Sequence, residues 1–228
     1  MQHWIRPTHL PTGTAALDFT RDVLMQKFIT AADEQALQRA ELVVIHTDGS
    51  LINDKEAGIL SMSFAVILNC RKREKPSANA QTMDSTEPDK ILLSGGTMDG
   101  TFSSTNGELM AIAAALVVVP TTKRIKLFSD SRAAIVMAEQ LLDKSDAQRT
   151  FEKSNLAYLA STVRQWFQDR TAPTELNWVK GHRGNIGNEA ADRAAGEAHD
   201  DARIWSVRGS QAQNAPNIGY VSAMNWHH

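Results

Sequence analysis

The chain has 228 residues, 42% of them hydrophobic, which is enough for one generous domain with a buried core. Its formal net charge of −2 excludes a globally basic protein that binds polyanions through overall charge, and leaves only local basic patches for that purpose. The single cysteine, Cys70, excludes an internal disulfide and an all-cysteine zinc site, and is compatible with a reducing compartment.

The first half of the chain predicts an arm, a helical segment and three strands. Residues 1–13 are rich in proline and threonine, and apolar residues recur at mixed helical spacings from 14 to 40, which predicts one or two helices. The polar run 70–88 predicts a long exposed hairpin loop. Apolar or β-branched runs predict strands at ELVVIHTDGS (41–50), GILSMSFAVILN (58–69) and DKILLSGGTMDG (89–100).

The second half alternates helices and strands. A helix is predicted from the capping residues 103–105 onward, then a strand, two helices, a strand and a last alanine-rich helix. The bounds after the first helix are 124–131, 131–142, 151–169, 174–182 and 187–199. This order predicts an α/β fold with a mixed five-stranded sheet flanked by helices. The tail 200–228 shows no clear pattern.

Hydropathy predicts where the protein resides. No run of about 18 apolar residues is present, so no transmembrane helix is predicted. The N-terminal sequence MQHWIRPTHLPTG lacks a basic segment followed by an apolar core, which argues against a secretory signal. We therefore predict a soluble intracellular protein of the cytoplasm or nucleus, with no membrane partner.

Four acidic residues lie where an α/β fold collects functional groups. Asp48 and Asp130 each end an apolar strand and precede a small residue, which leaves the rim of the sheet open. Glu108 lies in the first turn of a helix, and Asp192 lies on the last helix among small residues. Taken singly, such residues are most often turn or capping residues, partners of a helix dipole, or solvated surface groups.

Taken together, these four residues predict a metal site. Converging carboxylates repel one another and lose hydration, which is costly unless a cation neutralises them. Mg²⁺ prefers oxygen ligands, and two such ions roughly 3.5–4 Å apart activate water and stabilise the leaving oxygen in phosphodiester cleavage. The spacing of the four residues is compatible with such a site, and with structural roles as well.

Four sequence blocks resemble, in order, the signature blocks of type 1 ribonuclease H. They are HTDGS (46–50), GELMAI (107–112), FSDSRAAI (128–135) and VKGHRGNIGNEAADRAA (179–195). The resemblance covers about residues 41–198 and implies an RNase H-like mixed five-stranded sheet. It implies three parts: an N-terminal arm and helical extension (1–40), a catalytic domain (41–199) and a C-terminal tail (200–228).

The resemblance implies a metal-dependent endonuclease that hydrolyses the RNA strand of RNA–DNA hybrids and leaves a 5′-phosphate. The family's catalytic metal ligands, for two Mg²⁺ ions or Mn²⁺ as a substitute, would be Asp48, Glu108, Asp130 and Asp192. His182 takes the position of the mobile catalytic histidine. A histidine in a glycine-rich loop suits proton transfer or product release, although an exposed loop residue explains it equally well.

Substrate contacts are implied for further positions. Discrimination of a hybrid requires reading 2′-hydroxyls in a shallow minor groove. The candidates are Gly49 and Ser50 through their backbone amides, with Asn106, Arg183 and Asn188. Asn188 and Glu189 match family positions that touch the RNA strand or support the metal ligands from behind.

Three segments depart from the family pattern. SSTNGEL is shorter than the run of asparagine and basic residues that many free-standing members have before this Glu, so the match of Asn106 is loose. Residues 143–155 lack the tryptophan-bearing basic protrusion of the bacterial enzymes and are close to neutral. Nothing before residue 41 resembles the hybrid-binding module of eukaryotic free-standing enzymes.

These departures, with the GNEAAD form of the last block, also resemble the RNase H domains of retroelement reverse transcriptases. The hybrid is then delivered by a covalently linked polymerase domain, a second predicted partner, and residues 14–40 would connect to it. The alternative is that residues 14–40 form a packed N-terminal extension.

Alternative functions start from the same fold. A non-catalytic nucleic-acid-binding module should have lost at least one of the four acidic residues, and integrases or junction resolvases lack the KGHRG…GNE–D block. The run CRKREK (70–75) is read as a solvated loop, with phosphate contact as the minority interpretation. Trp178, in the fifth strand, is predicted to lie in the core.

Overall fold

The structure is a computed structural model that describes residues 17–18, 20–56, 59–71, 89–97, 103–142, 157–181, 184–200 and 204–206. The strands in these ranges are β1 (Leu17–Asp18), β2 (Leu42–Asp54), β3 (Ile59–Arg71), β4 (Asp89–Thr97), β5 (Arg124–Ser129), β6 (Thr174–Trp178) and β7 (Ile204–Ser206). The α-helices are α1 (Arg21–Phe28), α2 (Ala31–Arg39), α3 (Ser104–Val118), α4 (Arg132–Leu142), α5 (Ala157–Asp169) and α6 (Ile186–Glu197), which a 3₁₀ helix (Ala198–Asp200) follows. None of the helices in these ranges is long and apolar enough to cross a membrane.

The strands form one mixed sheet in the order β1-β7-β4-β3-β2-β5-β6. β2 pairs antiparallel with β3, and β3 with β4, whereas β5 pairs parallel with β2, and β6 with β5. Strands β2 to β6 confirm the predicted mixed five-stranded sheet. The short strands β1 and β7 extend the edge beside β4, and β7 lies in the tail, where the sequence showed no pattern.

Two strands end four residues away from their predicted last residue. β2 continues past Asp48 to Asp54 because it stays paired with β3. Its parallel pairing with β5 ends at Thr47, opposite Ser129, so Asp48 lies where two neighbouring strands part. β6 ends at Trp178 instead of at residue 182, because its neighbour β5 has already ended at Ser129.

One face of the sheet carries the main hydrophobic core. Alternate residues of a strand point to opposite faces, and β2 to β5 each send one apolar set to this side. The fully buried members include Val43, Ile45, Phe64, Val66, Leu93 and Leu127. α3 lies against them and is buried from Asn106 to Val118, as expected of a helix that is apolar all round. α4 and α5 pack beside α3.

The opposite face of the sheet carries α6 and the 3₁₀ helix, which lie over β2, β3 and part of β4. Ser63 Oγ donates to the Ala195 carbonyl at 2.6 Å, and His199 Nδ1 lies 2.8 Å from Ser61 Oγ. The small residues Ala191 and Ala195 are fully buried, which lets α6 approach the sheet closely. α6 is therefore fixed beside the segment of β2 that carries Asp48.

α1 packs against α3 and β4, and α2 packs against β4. The Thr20 side chain caps α1, and Thr30 with Asp33 forms a capping box at the start of α2. Leu24 and Leu37 are 0% and 1% exposed and belong to the main core. These helices therefore share one core with the sheet.

Replacing Leu37 with alanine is expected to lower the free energy of unfolding by about 3 kcal/mol, because apolar contact is lost and a cavity remains. Thermal unfolding would show this as a fall in Tm of several degrees. Val136→Ala is the matched control, since Val136 lies on α4 and is 44% exposed, and it should change Tm little. A parental Tm for Leu37→Ala would contradict the packing of α2 into the core.

Candidate active site

Two glycines bring β2 against the start of α3. Gly49 faces Gly107 so closely that a Cβ atom on Gly49 would overlap the backbone of Gly107 and Glu108. The Gly49 backbone also hydrogen-bonds to the carboxylate of Glu108. Because Gly49 follows Asp48 directly, this contact sets the Glu108 side chain beside Asp48.

Alanine at Gly49 is expected to lower Tm, because the added methyl group would force β2 and α3 apart, and such overpacking costs about 1–3 kcal/mol. Gly196→Ala is the control. A Cβ atom at Gly196, inside α6, meets nothing within 4 Å, so alanine there should leave Tm unchanged or raise it slightly. Thermal unfolding measures both variants. Equal Tm values for the two would count against the close approach of β2 and α3.

Asp130 follows the last residue of β5 and is not the cap of α4. Ser131 has that role, since its Oγ accepts from the Ala134 N–H at 3.3 Å. The Asp130 carboxylate accepts from Asn188 Nδ2 of α6 at 3.1 Å, and its backbone carbonyl accepts from Trp178 Nε1 at 2.9 Å. Asp130 is therefore held between α6 and the end of β6.

Asp48, Glu108 and Asp130 form one group of carboxylates, which we call the acidic group. One carboxylate oxygen of each residue lies within 4.8 Å of the others. Asp48 and Glu108 are each 6% exposed, and Asp130 is half-buried. Ser129 Oγ donates to Glu108 Oε2 at 3.2 Å, which orients that carboxylate. Three of the four acids singled out in the sequence thus converge from β2, α3 and the end of β5.

Burial and mutual repulsion raise the pKa values of the two buried members. The pKa of Asp48 is raised to about 7, first by burial and then by the negative charges of Asp130 and Asp192. The pKa of Glu108 is raised to about 9, first by burial and then by Asp48 and Asp130, while two hydrogen bonds act in the opposite direction. At neutral pH such a group retains a proton unless another cation compensates its charge.

Asp192, the fourth predicted acid, lies half-buried on α6 beside the acidic group. Its charge raises the pKa of Asp48, so the two carboxylates are electrostatically coupled. The start of α6 is set by Gly187, where a Cβ atom would overlap the ring of His46. That ring stacks on Phe128, with the ring centroids 5.2 Å apart. These contacts fix Asp192 relative to β2 and β5.

The acidic group fits a hard divalent cation. Carboxylate oxygens this close together are the ligands that Mg²⁺ and Mn²⁺ prefer. Among the described residues, Ser129 and Asn188, both neutral, donate hydrogen bonds to the acidic group. A bound cation would compensate its negative charge.

Of the other predicted site residues, the structure describes some and not others. His182 and Arg183 lie outside the described residues. Ser50 is half-buried and follows Gly49 on β2, and Asn106 is 5% exposed in the first turn of α3. Both therefore lie within two residues of a member of the acidic group.

Asn188 and Glu189 occupy the first turn of α6. Asn188 contacts the acidic group directly through its bond to Asp130. Glu189 Oε1 accepts from the Gly184 N–H at 2.9 Å, and Asn185 caps the helix by accepting from the Asn188 N–H at 3.1 Å. This hydrogen bond thus holds the Gly184 backbone against the first turn of α6.

Sequence reasoning missed three residues beside the acidic group. Ser129 orients Glu108, and a serine at the end of a strand gives no signal of this. Trp178 was predicted to be a core residue, which is wrong, since it is 44% exposed. Its indole, at the end of the edge strand β6, donates to the Asp130 carbonyl, and the Arg132 guanidinium lies 5.2 Å from the centre of its ring.

A mixed sheet with carboxylates on β2, on α3 and after β5 is the arrangement expected of the family that the four sequence blocks resemble. The sequence model of the RNase H family matches residues 39–200, and the chain therefore belongs to the RNase H family, as predicted. A similar solved structure is that of LC9-RNase H1, a type 1 RNase H with the type 2 active-site motif. It is 19% identical, with a TM-score of 0.52, and the alignment covers 76% of this chain and 81% of that chain. At that identity the likeness shows the fold alone. Comparison with curated protein sequences gives no match.

Proposed function

We propose that this protein is a metal-dependent endonuclease that hydrolyses the RNA strand of RNA–DNA hybrids and leaves a 5′-phosphate. The observation that carries the proposal is the acidic group, whose oxygens lie within 4.8 Å of one another in a chain of the RNase H family. Buried acids that repel one another destabilise a fold, so their convergence calls for a functional explanation. Binding of divalent cations for phosphodiester hydrolysis provides one.

The metal ligands would be Asp48, Glu108, Asp130 and Asp192, for two Mg²⁺ ions or Mn²⁺ in their place. Such cations, when bound, lower the pKa of water and neutralise charge that develops on the phosphate. The chain itself holds the ligands in place, since Ser129 orients Glu108 and Asn188 orients Asp130. His182 stays the predicted group for proton transfer or product release.

Asn188 is the strongest candidate for a contact with the RNA strand. It is 2% exposed, its Nδ2 donates to Asp130, and its Oδ1 has no hydrogen-bond partner among the described residues. A buried acceptor without a partner costs about 1–3 kcal/mol, so this oxygen is suited to accept from a donor that arrives with the substrate. A 2′-hydroxyl is such a donor and distinguishes RNA from DNA. The further predicted contacts are Gly49, Ser50, Asn106 and Arg183.

Residues 14–40 have two interpretations. In a retroelement reverse transcriptase, residues 14–40 would connect the domain to a polymerase. The packing of α1 and α2 into the main core supports the other interpretation, a packed N-terminal extension. A non-catalytic module would bind hybrids without cutting them.

Cleavage of four end-labelled nucleic acids tests the proposed activity. They are an RNA–DNA hybrid, duplex RNA, duplex DNA and single-stranded RNA, each incubated with Mg²⁺, with Mn²⁺ or with a chelator. We expect the RNA strand of the hybrid alone to be cut, with 5′-phosphate ends that a ligase joins directly. The chelator should stop the reaction.

Two other outcomes would contradict the proposed activity or its specificity. Binding of the hybrid without cleavage in either metal would contradict the nuclease and favour the binding module. Equal cleavage of single-stranded RNA and hybrid would contradict hybrid specificity.

A further inference from the structure

Four cations lie together on the sheet face that also carries α6. They lie toward the strand ends that are away from the acidic group. The registers place Lys90 and Lys126 in one row across β4, β3, β2 and β5. Arg71 and Arg124 lie in the next row, two residues along β3 and β5. We call Arg71, Lys90, Arg124 and Lys126 the basic face.

The basic face shares its side of the sheet with Asp48. Val44 lies in the same row as Lys90 and Lys126, and partners in register point to the same side of a sheet. Asp48 lies four residues further along β2, so it also points to this side, whereas Ile45 points into the main core. At the rise of a strand, four residues correspond to about 13 Å.

The charge on this face is opposite in sign to that of the whole chain. Glu175 is the anion paired there, at 3.7 Å from Arg124 Nη2 and from Lys126 Nζ. The side chains of Arg124 and Lys126 are 60% and 40% exposed, so they remain accessible while paired. Among the residues that the structure describes, Glu175 is thus the one anion paired with these four cations, in a chain whose formal net charge is −2.

Apolar and aromatic side chains lie beside these cations. His46 lies between the basic face and Asp48 on β2, and its ring stacks on Phe128. Leu92 is 47% exposed in the row next to Lys90, and the Lys126 ammonium lies 5.8 Å from the ring centre of Phe128. Apolar groups between cations suit the sugars and phosphates of a nucleic-acid backbone.

We propose that the basic face binds the phosphate backbone of a nucleic acid where it extends beyond the acidic group. This inference rests on the proposed function and adds a second contact surface for the same substrate. Three strand spacings separate Lys90 from Lys126, about 14 Å, so the face spans more than one phosphate. A surface of this kind supplies local affinity that the net charge of the chain does not.

The test is the salt dependence of hybrid binding by a variant without the basic face. Glutamine replaces all four cations, Arg71, Lys90, Arg124 and Lys126. The matched control replaces four cations elsewhere: Arg21, Lys27, Arg39 and Lys55. Both sets are made in Asp48→Asn, so that the hybrid is not consumed in Mg²⁺. Fluorescence anisotropy measures the affinity for a labelled 24-base-pair hybrid between 50 and 200 mM salt.

Each phosphate contact contributes about 0.9 to the slope of log affinity against log salt. We expect the basic-face variant to lose about two to four units of slope and at least about tenfold in affinity at 50 mM salt. The control should lose less than about one unit. Equal slopes for the two variants would overturn the inference. So would a basic-face variant that loses binding to polyglutamate but not to the hybrid, because the face would then suit an acidic protein.

A single substitution guards against failure of the fourfold variant to fold. Lys90 is exposed near the start of β4, and Lys90→Glu should lower both slope and affinity, whereas Lys55→Glu should not. Separate outcomes would refute the inference and the proposed function. A protein that cuts no hybrid but loses nucleic-acid binding with the basic face refutes only the proposed function. A protein that cuts hybrids and binds them equally well without the basic face refutes only the inference.

Discussion

Replacing Asp48 with asparagine is expected to lower the rate of hybrid cleavage by at least about a thousandfold, which corresponds to several kcal/mol of lost transition-state stabilisation. Asparagine keeps the shape of the side chain and removes the charge. Asp48 is the member of the acidic group whose pKa responds to both Asp130 and Asp192, so it is electrostatically central. The rate is measured in single turnover with saturating enzyme in Mg²⁺.

Asp54→Asn is the matched control for this variant. Asp54 is the last residue of β2, on the same strand as Asp48, and is exposed. It should keep the parental cleavage rate. Comparable rates for Asp48→Asn and Asp54→Asn would contradict the role of the acidic group in the reaction.

Without divalent cations, the protein is expected to lose stability as pH rises from 7 to 9, and Mg²⁺ should restore it most at pH 9. The carboxyl pKa values of the unfolded chain lie near 4, and folding raises those of Asp48 and Glu108 to about 7 and about 9. A raised folded-state pKa contributes stability that is complete below the unfolded value and is lost as pH rises through the folded value. Each unit corresponds to about 1.4 kcal/mol, so the Tm should fall by several degrees.

Between pH 7 and 9, the buried histidines contribute little to the pH dependence of stability. Burial lowers the pKa values of His46 and His199, and such groups lower stability only as pH falls below about 6.5. Glu108→Gln is the informative variant, because it removes the larger of the two carboxyl contributions. Its metal-free Tm should fall less between pH 7 and 9 than that of the parent. Parallel curves for the two proteins would show that Glu108 does not carry the effect.

The sequence predicted the fold because its signals are local. Apolar runs that stop at Asp48 and Asp130, with capping residues before α3, place each element without reference to its neighbours. The four blocks that resemble one family agree with the order of elements derived from these signals. The five central strands are confirmed in that order along the chain.

What the sequence missed depends on contacts between distant segments. β2 continues to Asp54 only because β3 stays paired with it, and Trp178 is exposed at the end of β6, the edge strand of the sheet. The contact between Gly49 and Gly107 joins residues on separate elements, so neither glycine alone indicates a close approach. The bond from Ser129 to Glu108 is of the same kind.

The candidate site was predicted in part from residue type. The positions of Asp48, Glu108 and Asp130 were compatible with a shared metal site, the resemblance implied one, and the structure brings these three together. Asp192 lies beside them on α6, where its effect on Asp48 is seen only through the packing of that helix. The roles assigned to these residues stay predictions that the variants above test.

The most direct test of the acidic group as a metal site is the binding of Mn²⁺, followed by the loss of the free-ion signal in electron paramagnetic resonance. The parent protein and Asp54→Asn should bind Mn²⁺, with Mg²⁺ competing for the same site. Asp48→Asn should bind it much more weakly at the same protein concentration. Equal Mn²⁺ binding by the parent and Asp48→Asn would contradict a metal site built on the acidic group.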